Sequence, residues 1–237
     1  MYTNYIFDLY GTLIDINTDE NSNEFWYKLS LFYSFKGAIY TAEELKTSYK
    51  ALVNANLNNI TDTKYPDFPL EEVFSKLYKN KNVIPSKELI IDTAHFFRTS
   101  SIKYIKLYDN VIDLLKLLKK KGKKIYLLSN AQRVFTLYEM KLLGIEEYFD
   151  DILFSADYKV CKPDKKFYNI LINKHNLDMK NTIMIGNDYI CDIEGASNAR
   201  LDSLYIHSNL SPDINGKLKS KYSIMKMDIP KIMELIV

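Results

Sequence analysis

Between residues 105 and 207, short apolar segments alternate with helix-like segments, and this alternation most constrains the fold. The predicted strands are KIYLLS (124–129), DILFS (151–155), TIMIG (182–186) and SLYIH (203–207). The predicted helices lie near 110–121, 132–142, 164–175 and 189–199. Such alternation is typical of a parallel sheet with right-handed crossovers. An earlier apolar run, NYIFD (4–8), ends in an acid before a glycine turn and predicts one more strand of the same sheet.

The long stretch between the first strand and the alternating region has a different pattern. Apolar side chains recur three or four positions apart, as in Phe25, Leu29 and Phe32, which predicts four or five amphipathic helices and no strand. Ser86 is suited to cap the helix that follows it. The simplest arrangement places residues 15–98 as a helical insert in one α/β domain made of residues 1–14 and 99–237.

Composition narrows the class of partner and the location. The formal net charge is +2 and no basic stripe accompanies it, so neither nucleic acid nor an anionic membrane is an expected partner. The first residues, MYTNYIFDLYG, do not resemble a signal peptide, and no apolar run reaches the roughly 18 residues that span a bilayer. Two cysteines do not indicate a disulfide framework. We expect a cytosolic protein, whose oligomeric state is not readable from the sequence.

Polar side chains follow the ends of the predicted strands. Because ligands of open parallel sheets bind at the carboxyl ends of the strands, these residues are expected to share one site. Carboxylates there suit a hard cation, and a lysine adds positive charge for a phosphoryl group. The set comprises Asp8, Tyr10, Gly11 and Thr12 after the first strand, Ser129 and Asn130 after the second, Lys162 after the third, and Asn187, Asp188 and Asp192 after the fourth.

Four ordered motifs at these positions resemble those of the haloacid dehalogenase-like hydrolases. They are DLYGTL (8–13), LLSN (127–130), KPD (162–164) and IGNDYICDIEGA (185–196). The resemblance covers nearly the whole chain and implies a Rossmann-like parallel-sheet core with an inserted α-helical cap domain. It also implies a Mg²⁺-dependent phosphatase that acts on a small phosphorylated metabolite.

The resemblance implies a role for each motif residue. Asp8 would attack phosphorus and form an aspartyl-phosphate, while Thr12, Ser129 and Lys162 would complete the catalytic set. Gly11 and Asn130 would contact the substrate. The Mg²⁺ ligands would be Asp8, the backbone carbonyl of Tyr10, Asp188 and Asp192, directly or through water.

Tyr10 departs from the phosphatase pattern, which carries a second aspartate there as general acid and base. A phenol with a pKa near ~10 is a poor proton shuttle at neutral pH, and that shuttle is worth about 10² to 10⁴ in rate. The same tyrosine is found in metal-free 2-haloacid dehalogenases, which leaves that activity open. Two features argue against dehalogenation. Those enzymes carry Ser and Asn in place of the metal-binding acids, whereas this chain keeps Asp188 and Asp192. They also receive the substrate with an arginine early in the cap, and residues 15–97 here contain none. A weak or non-catalytic binding member is the third alternative.

Overall fold

A computed structural model of the chain describes residues 2–237. Its centre is a six-stranded sheet in the order β5-β4-β1-β6-β7-β8, and every neighbouring pair is parallel. The strands are β1 (Asn4–Phe7), β4 (Lys124–Ser129), β5 (Asp151–Phe154), β6 (Thr182–Gly186), β7 (Asp202–Ile206) and β8 (Tyr222–Ile224). A separate antiparallel pair consists of β2 (Ile14–Thr18) and β3 (Ile102–Leu107).

Helices cover both faces of the sheet. They are α5 (Val111–Lys120), α6 (Arg133–Leu142), α7 (Ser155–Tyr158), α8 (Lys165–His175), α9 (Gly195–Asn198) and α10 (Ile229–Ile236). Successive residues of β1 point to opposite faces, so Tyr5 and Phe7 join one apolar cluster and Ile6 joins the other. Because both faces are buried, the strands read as continuous apolar runs.

Four helices between β2 and β3 form what we call the helical unit. They are α1 (Asn23–Phe35), α2 (Ala42–Asn58), α3 (Glu71–Lys79) and α4 (Lys87–Ser101). Their apolar faces meet in a separate aromatic-rich cluster, to which Val134 and Phe135 of α6 also belong. The side chain of Ser86 accepts a hydrogen bond from the backbone N–H of Leu89 at 3.1 Å, which confirms the predicted cap.

Most of the predicted elements are confirmed, and the predicted absence of strands in 15–98 is wrong. β2 begins at Ile14 and extends into that block, while α4 continues beyond residue 98 to Ser101. The two strands of the antiparallel pair are almost ninety residues apart in the chain, and each is short and half exposed. Local periodicity cannot indicate such a pair, because only the distant partner stabilises it.

No helix among residues 2–237 has both the length and the apolar character that crossing a membrane requires.

Candidate active site

The polar residues predicted at the strand ends meet at one cavity on the carboxyl edge of the sheet. The cavity has a volume of about 170 Å³. Most of the predicted residues line it, whereas Thr12 lies behind Asp8 and is fully buried. No residue of the helical unit lines this cavity. The lining consists of Asp8, Tyr10, Ser129, Asn130, Lys162, Asn187, Asp188, Cys191, Asp192, Leu210 and Pro212.

Lys162 lies between two carboxylates at the floor of the cavity. Its Nζ is 2.7 Å from Asp8 Oδ1 and 2.7 Å from Asp192 Oδ1. The ammonium is almost completely buried. Burial lowers the pKa of Lys162, but the adjacent Asp192 and Asp8 carboxylates raise it more, so the net pKa is above its ordinary value. Lys162 therefore remains charged and holds Asp8 in a fixed position.

Asp192 is folded beneath the end of β6. Its Oδ2 accepts the backbone N–H of Asp188 at 2.9 Å, while its Oδ1 faces Lys162. A Cβ atom on Gly186 would lie 2.2 Å from Asp192 Oδ2, so only glycine admits this approach. Burial raises the pKa of the Asp192 carboxyl, and the Lys162 ammonium opposes that rise.

Asp188 begins the π-helical segment Tyr189–Glu194, which continues into α9. Its Oδ1 accepts the backbone N–H groups of Ile190 and Cys191, both at 2.8 Å. A carboxylate in this position satisfies helix donors and favours the positive end of the helix dipole. Asp188 is half-buried and faces the cavity, so capping and ligand contact are compatible.

Asn187 lies against the first motif. Its Oδ1 is 3.1 Å from the hydroxyl of Thr12, which is also 3.4 Å from Asp8 Oδ2. Gly11 has a φ of +84°, and a Cβ there would lie 2.3 Å from Asn187 Nδ2. Gly11 therefore permits the close approach of the two motifs, and Thr12 supports Asp8 from behind.

Ser129 and Asn130 follow β4. Ser129 is buried and lines the cavity. The side-chain amide of Asn130 makes two hydrogen bonds with the backbone of Lys162: Oδ1 accepts the N–H at 2.8 Å, and Nδ2 donates to the carbonyl at 3.0 Å. Asn130 thus positions the Lys162 segment while its exposed side lines the cavity.

The hydroxyl of Tyr10 is directed into a group that we call the joint cluster, formed by Tyr10, Arg98, Thr136 and Glu139. The Tyr10 hydroxyl donates to Glu139 Oε2 and lies 2.9 Å from Thr136 Oγ1. Arg98 Nε donates to Glu139 Oε1 at 2.6 Å. Burial and the negative charge of Glu139 raise the pKa of Tyr10 well above its ordinary value. The joint cluster connects α4 of the helical unit to α6 of the core.

A second connection joins the loop between α2 and α3 to the core beside Lys162. Ser155 Oγ donates to Asp67 Oδ2 at 2.5 Å, and Gln132 Nε2 donates to Asp67 Oδ1 at 3.2 Å. The backbone N–H of Cys161 donates to the carbonyl of Tyr65 at 2.8 Å. The helical unit and its loop are therefore attached to the core at two places, one at Tyr10 and one next to Lys162.

Oxygen atoms dominate the cavity, but the three acids do not form one direct ligand set. Among residues 2–237, no group of three or more His, Cys, Asp or Glu side chains is arranged to hold a metal ion. Both oxygens of Asp192 already accept hydrogen bonds, so its carboxylate is directed at Lys162 and the Asp188 backbone. Asp8, whose two oxygens contact Lys162 and Thr12, and Asp188, whose Oδ1 caps the π-helical segment, line the same cavity.

Sequence reasoning did not identify several residues of the site and its supports. Leu210 and Pro212, in the loop after β7, line the cavity although no motif marks them. Arg98 and Glu139 are 41 positions apart, and no spacing rule connects them. The only local sign of the joint cluster was Tyr10, which stands where the motif usually has an aspartate and whose hydroxyl contacts Glu139.

Comparison with known proteins places this geometry in a family. The model of the haloacid dehalogenase-like hydrolases matches residues 2–200. The glyceraldehyde 3-phosphate phosphatase of Methanothermobacter thermautotrophicus is 26% identical over 104 residues, which are 44% of this chain and 46% of that protein. The match thus spans about half the length of that curated relative.

Two solved structures share the fold along the whole chain. A HAD phosphatase from Thermococcus onnurineus superposes with a TM-score of 0.60 at 17% identity, covering 100% of this chain and 98% of the other. The HAD-hydrolase YfnB of Bacillus subtilis, bound to magnesium, has a TM-score of 0.57 at 21% identity, covering 100% and 99%. At these identities the likeness concerns the fold.

Proposed function

Since the chain belongs to the haloacid dehalogenase-like hydrolases, we propose that it is a phosphatase acting on a small phosphorylated metabolite, with Asp8 as the nucleophile. The observation that carries the proposal is the position of Lys162, whose Nζ lies 2.7 Å from an oxygen of Asp8 at a solvent-accessible cavity. A carboxylate held by a buried ammonium has a fixed direction of attack and needs no reorganisation during the reaction. The phosphatase name of the Methanothermobacter relative supports the same substrate class.

The remaining site residues take supporting roles. Asp8 attacks phosphorus and forms an aspartyl-phosphate, which water then hydrolyses. Lys162 offsets the charge of the phosphoryl group, and Ser129 donates a hydrogen bond to one of its oxygens. Thr12 holds Asp8 from behind, and Asn130 contacts the substrate where it emerges beside Lys162.

The donors present fit Mg²⁺. This ion is usually held by one or two carboxylates together with substrate phosphate and several waters, rather than by an all-protein cage. Asp8, the carbonyl of Tyr10 and Asp188 would hold it, and Asp192 would reach it only through water. When bound, the ion offsets charge on the phosphoryl oxygens. The magnesium bound to the Bacillus structure supports this choice of metal.

The cap domain is proposed to be residues 15–98, which contain most of the helical unit, inserted into a core of residues 1–14 and 99–237; the last turn of α4 extends to Ser101. The separate apolar cluster of the helical unit supports this division, because each part has its own core. A polar cavity of about 170 Å³ suits a small phosphorylated metabolite of the cytosol better than a macromolecule.

The test is phosphate release from acetyl phosphate and p-nitrophenyl phosphate by the wild type and the Asp8→Asn variant, with Mg²⁺ and with EDTA. We expect metal-dependent release that falls by about 10⁴-fold or more in the variant, since no other carboxylate replaces the nucleophile. A matched control is Asp178→Asn, which removes a carboxylate that caps a distant 3₁₀ turn. Absence of release by the wild type would refute the proposal.

Dehalogenation of a 2-haloacid is a second candidate, favoured by the direction of the Tyr10 hydroxyl. That hydroxyl is bound to Glu139 and is therefore not available as a proton donor, and a departing halide needs none. Release of chloride from 2-chloropropionate, unaffected by EDTA and lost in Asp8→Asn, would support this candidate. If neither phosphate nor chloride is released, the site acts in binding only.

A further inference from the structure

The residues around the cavity restrict the leaving group of the substrate. We propose, resting on the phosphatase function above, that the substrate is an acyl phosphate. This is the mixed anhydride of phosphate and a small carboxylic acid whose chain carries no other charged group. The geometry of proton donors and the apolar wall of the cavity carry this proposal independently of each other.

The side chains around the cavity that could protonate a leaving group contact other partners, and the Asp192 carboxylate accepts Lys162 and the Asp188 N–H. The Tyr10 hydroxyl donates to Glu139, and the Lys162 ammonium lies 2.7 Å from both Asp8 and Asp192. Asp188 accepts two backbone N–H groups at the start of the π-helical segment. The thiol of Cys191 faces the carbonyl of Lys162 at 3.6 Å. These contacts favour a leaving group that departs without a proton from the protein.

This preference separates phosphate compounds by their leaving groups. An alkanol has a pKa near that of water, about 15.7, and its departure as an anion is strongly unfavourable. A carboxylic acid has a pKa of about 4 and departs as a stable carboxylate at neutral pH. Loss of general acid catalysis, worth about 10² to 10⁴ in rate, therefore affects alkyl phosphates and spares acyl phosphates.

The proposed step balances without an added acid. An oxygen of Asp8 bonds to phosphorus while the bond from phosphorus to the acyl oxygen breaks, and that oxygen leaves with the electron pair as a carboxylate. Water then attacks phosphorus and the bond to Asp8 breaks, which restores the Asp8 carboxylate. One proton of the water stays on the phosphate, and the other passes to solvent.

The wall of the cavity distinguishes an acyl group from a second phosphate. Leu210 and Pro212 supply an apolar side, and the loop that carries them is fixed because the backbone N–H of Ser208 donates to Ser211 Oγ at 2.9 Å. Lys162 is the only cation among the lining residues, and two carboxylates already occupy it. A departing phosphate would bring more than one negative charge to a wall that offers no cation, whereas a departing carboxylate brings one and its alkyl chain packs against Leu210.

The experiment compares kcat/KM for acetyl phosphate, ethyl phosphate and pyrophosphate at one Mg²⁺ concentration. We expect acetyl phosphate to exceed ethyl phosphate by about 10³-fold or more, and pyrophosphate by about tenfold or more. Ethyl phosphate within about tenfold of acetyl phosphate, or pyrophosphate above it, would overturn the proposal while leaving the phosphatase function intact. Absence of release from all three would overturn the phosphatase function itself.

A variant tests the wall directly. Leu210→Lys places a cation beside the leaving group at a side chain that is already 36% exposed, so the fold is retained. We expect the ratio of pyrophosphate to acetyl phosphate turnover to rise about tenfold, as a new charge pair at the surface of a cavity provides about that factor. The matched control is Leu235→Lys on α10, where the leucine is 37% exposed, and the ratio should not change. An unchanged ratio in Leu210→Lys would refute the assignment of the wall.

Discussion

Two polar clusters of this protein each combine one cation with carboxylates but differ in their balance of charge. The joint cluster pairs one cation, Arg98, with one carboxylate, Glu139, and hydroxyls satisfy the remaining oxygens. The site cluster, which comprises Asp8, Lys162, Asp188 and Asp192, sets one cation among three carboxylates. The balanced cluster is closed and connects two parts of the chain. The unbalanced cluster borders a cavity, where a bound cation would supply the missing positive charge.

Replacing the single cation of the site cluster has the largest expected effect. In Lys162→Met, Asp8 and Asp192 lose their shared partner, and breaking a buried ion pair leaves charge uncompensated. We expect the free energy of unfolding, measured in urea at pH 7, to fall by about 3 to 5 kcal/mol. Phosphate release should be lost with it. Lys28→Met, which removes an exposed partner of Glu24, is the control and should leave both unchanged. A loss below about 1 kcal/mol would mean that Asp192 takes up a proton instead.

Removing the cation of the joint cluster sharpens the comparison, because here the protein should lose stability but keep its activity. Arg98→Met leaves Glu139 buried without its partner, and we expect the free energy of unfolding to fall by about 3 kcal/mol. Arg98 does not line the cavity, so kcat for acetyl phosphate should change by less than about tenfold. Adding Glu139→Gln should restore part of the stability, since neighbouring groups are coupled by about 0.5 to 3 kcal/mol. Additive losses in the double variant would contradict a shared cluster.

The smallest effect on stability is expected at a third group of charged side chains, at the opposite edge of the sheet. It consists of Asp150, Lys119 and Lys124. Burial raises the pKa of Asp150, but the Ile125 N–H and the Lys124 and Lys119 ammonium groups lower it more, so the net pKa is below its ordinary value. Its contribution is therefore present above an ordinary pKa of about 4 and is lost as the pH falls through the lowered value. Asp150→Asn should cost about 1 kcal/mol at pH 7, and the cost should shrink as the pH falls below about 4. Urea unfolding at pH 7 and below about pH 4 checks this, and an equal cost at both would show that charge is not involved.

The sequence indicated the sheet and the site residues at its edge because both depend on local patterns. Apolar runs that lead to Asp8, Ser129 and Asp188 identified buried strands and the polar residues at their carboxyl ends. The parallel order of the strands then brings these residues together at one edge of the sheet. The direction in which each side chain points was not predictable. Tyr10 lines the cavity, but its hydroxyl donates a hydrogen bond to Glu139 on a distant helix.

The same limit applies to the walls of the cavity. Aromatic side chains of the helical unit pack within their own cluster, and Leu210 and Pro212 supply the apolar wall of the cavity. A loop after a strand has no periodicity from which its position could be inferred. Substrate selection by this loop is therefore a property of the tertiary structure, and only the geometry reveals it.

Because Gly186 has no Cβ atom, the residues allowed at position 186 depend on the residue at position 192, which matters for protein engineering. Any side chain there would overlap Asp192, the carboxylate that receives Lys162. In a saturation mutagenesis library, an alanine at position 186 would be recovered only together with a smaller residue at 192. Position 162 would keep its lysine, because Asp8 remains a partner of Lys162 at 2.7 Å. The codons at 186 and 192 would thus behave as one unit of selection, and a library that varies position 186 alone would retain glycine there.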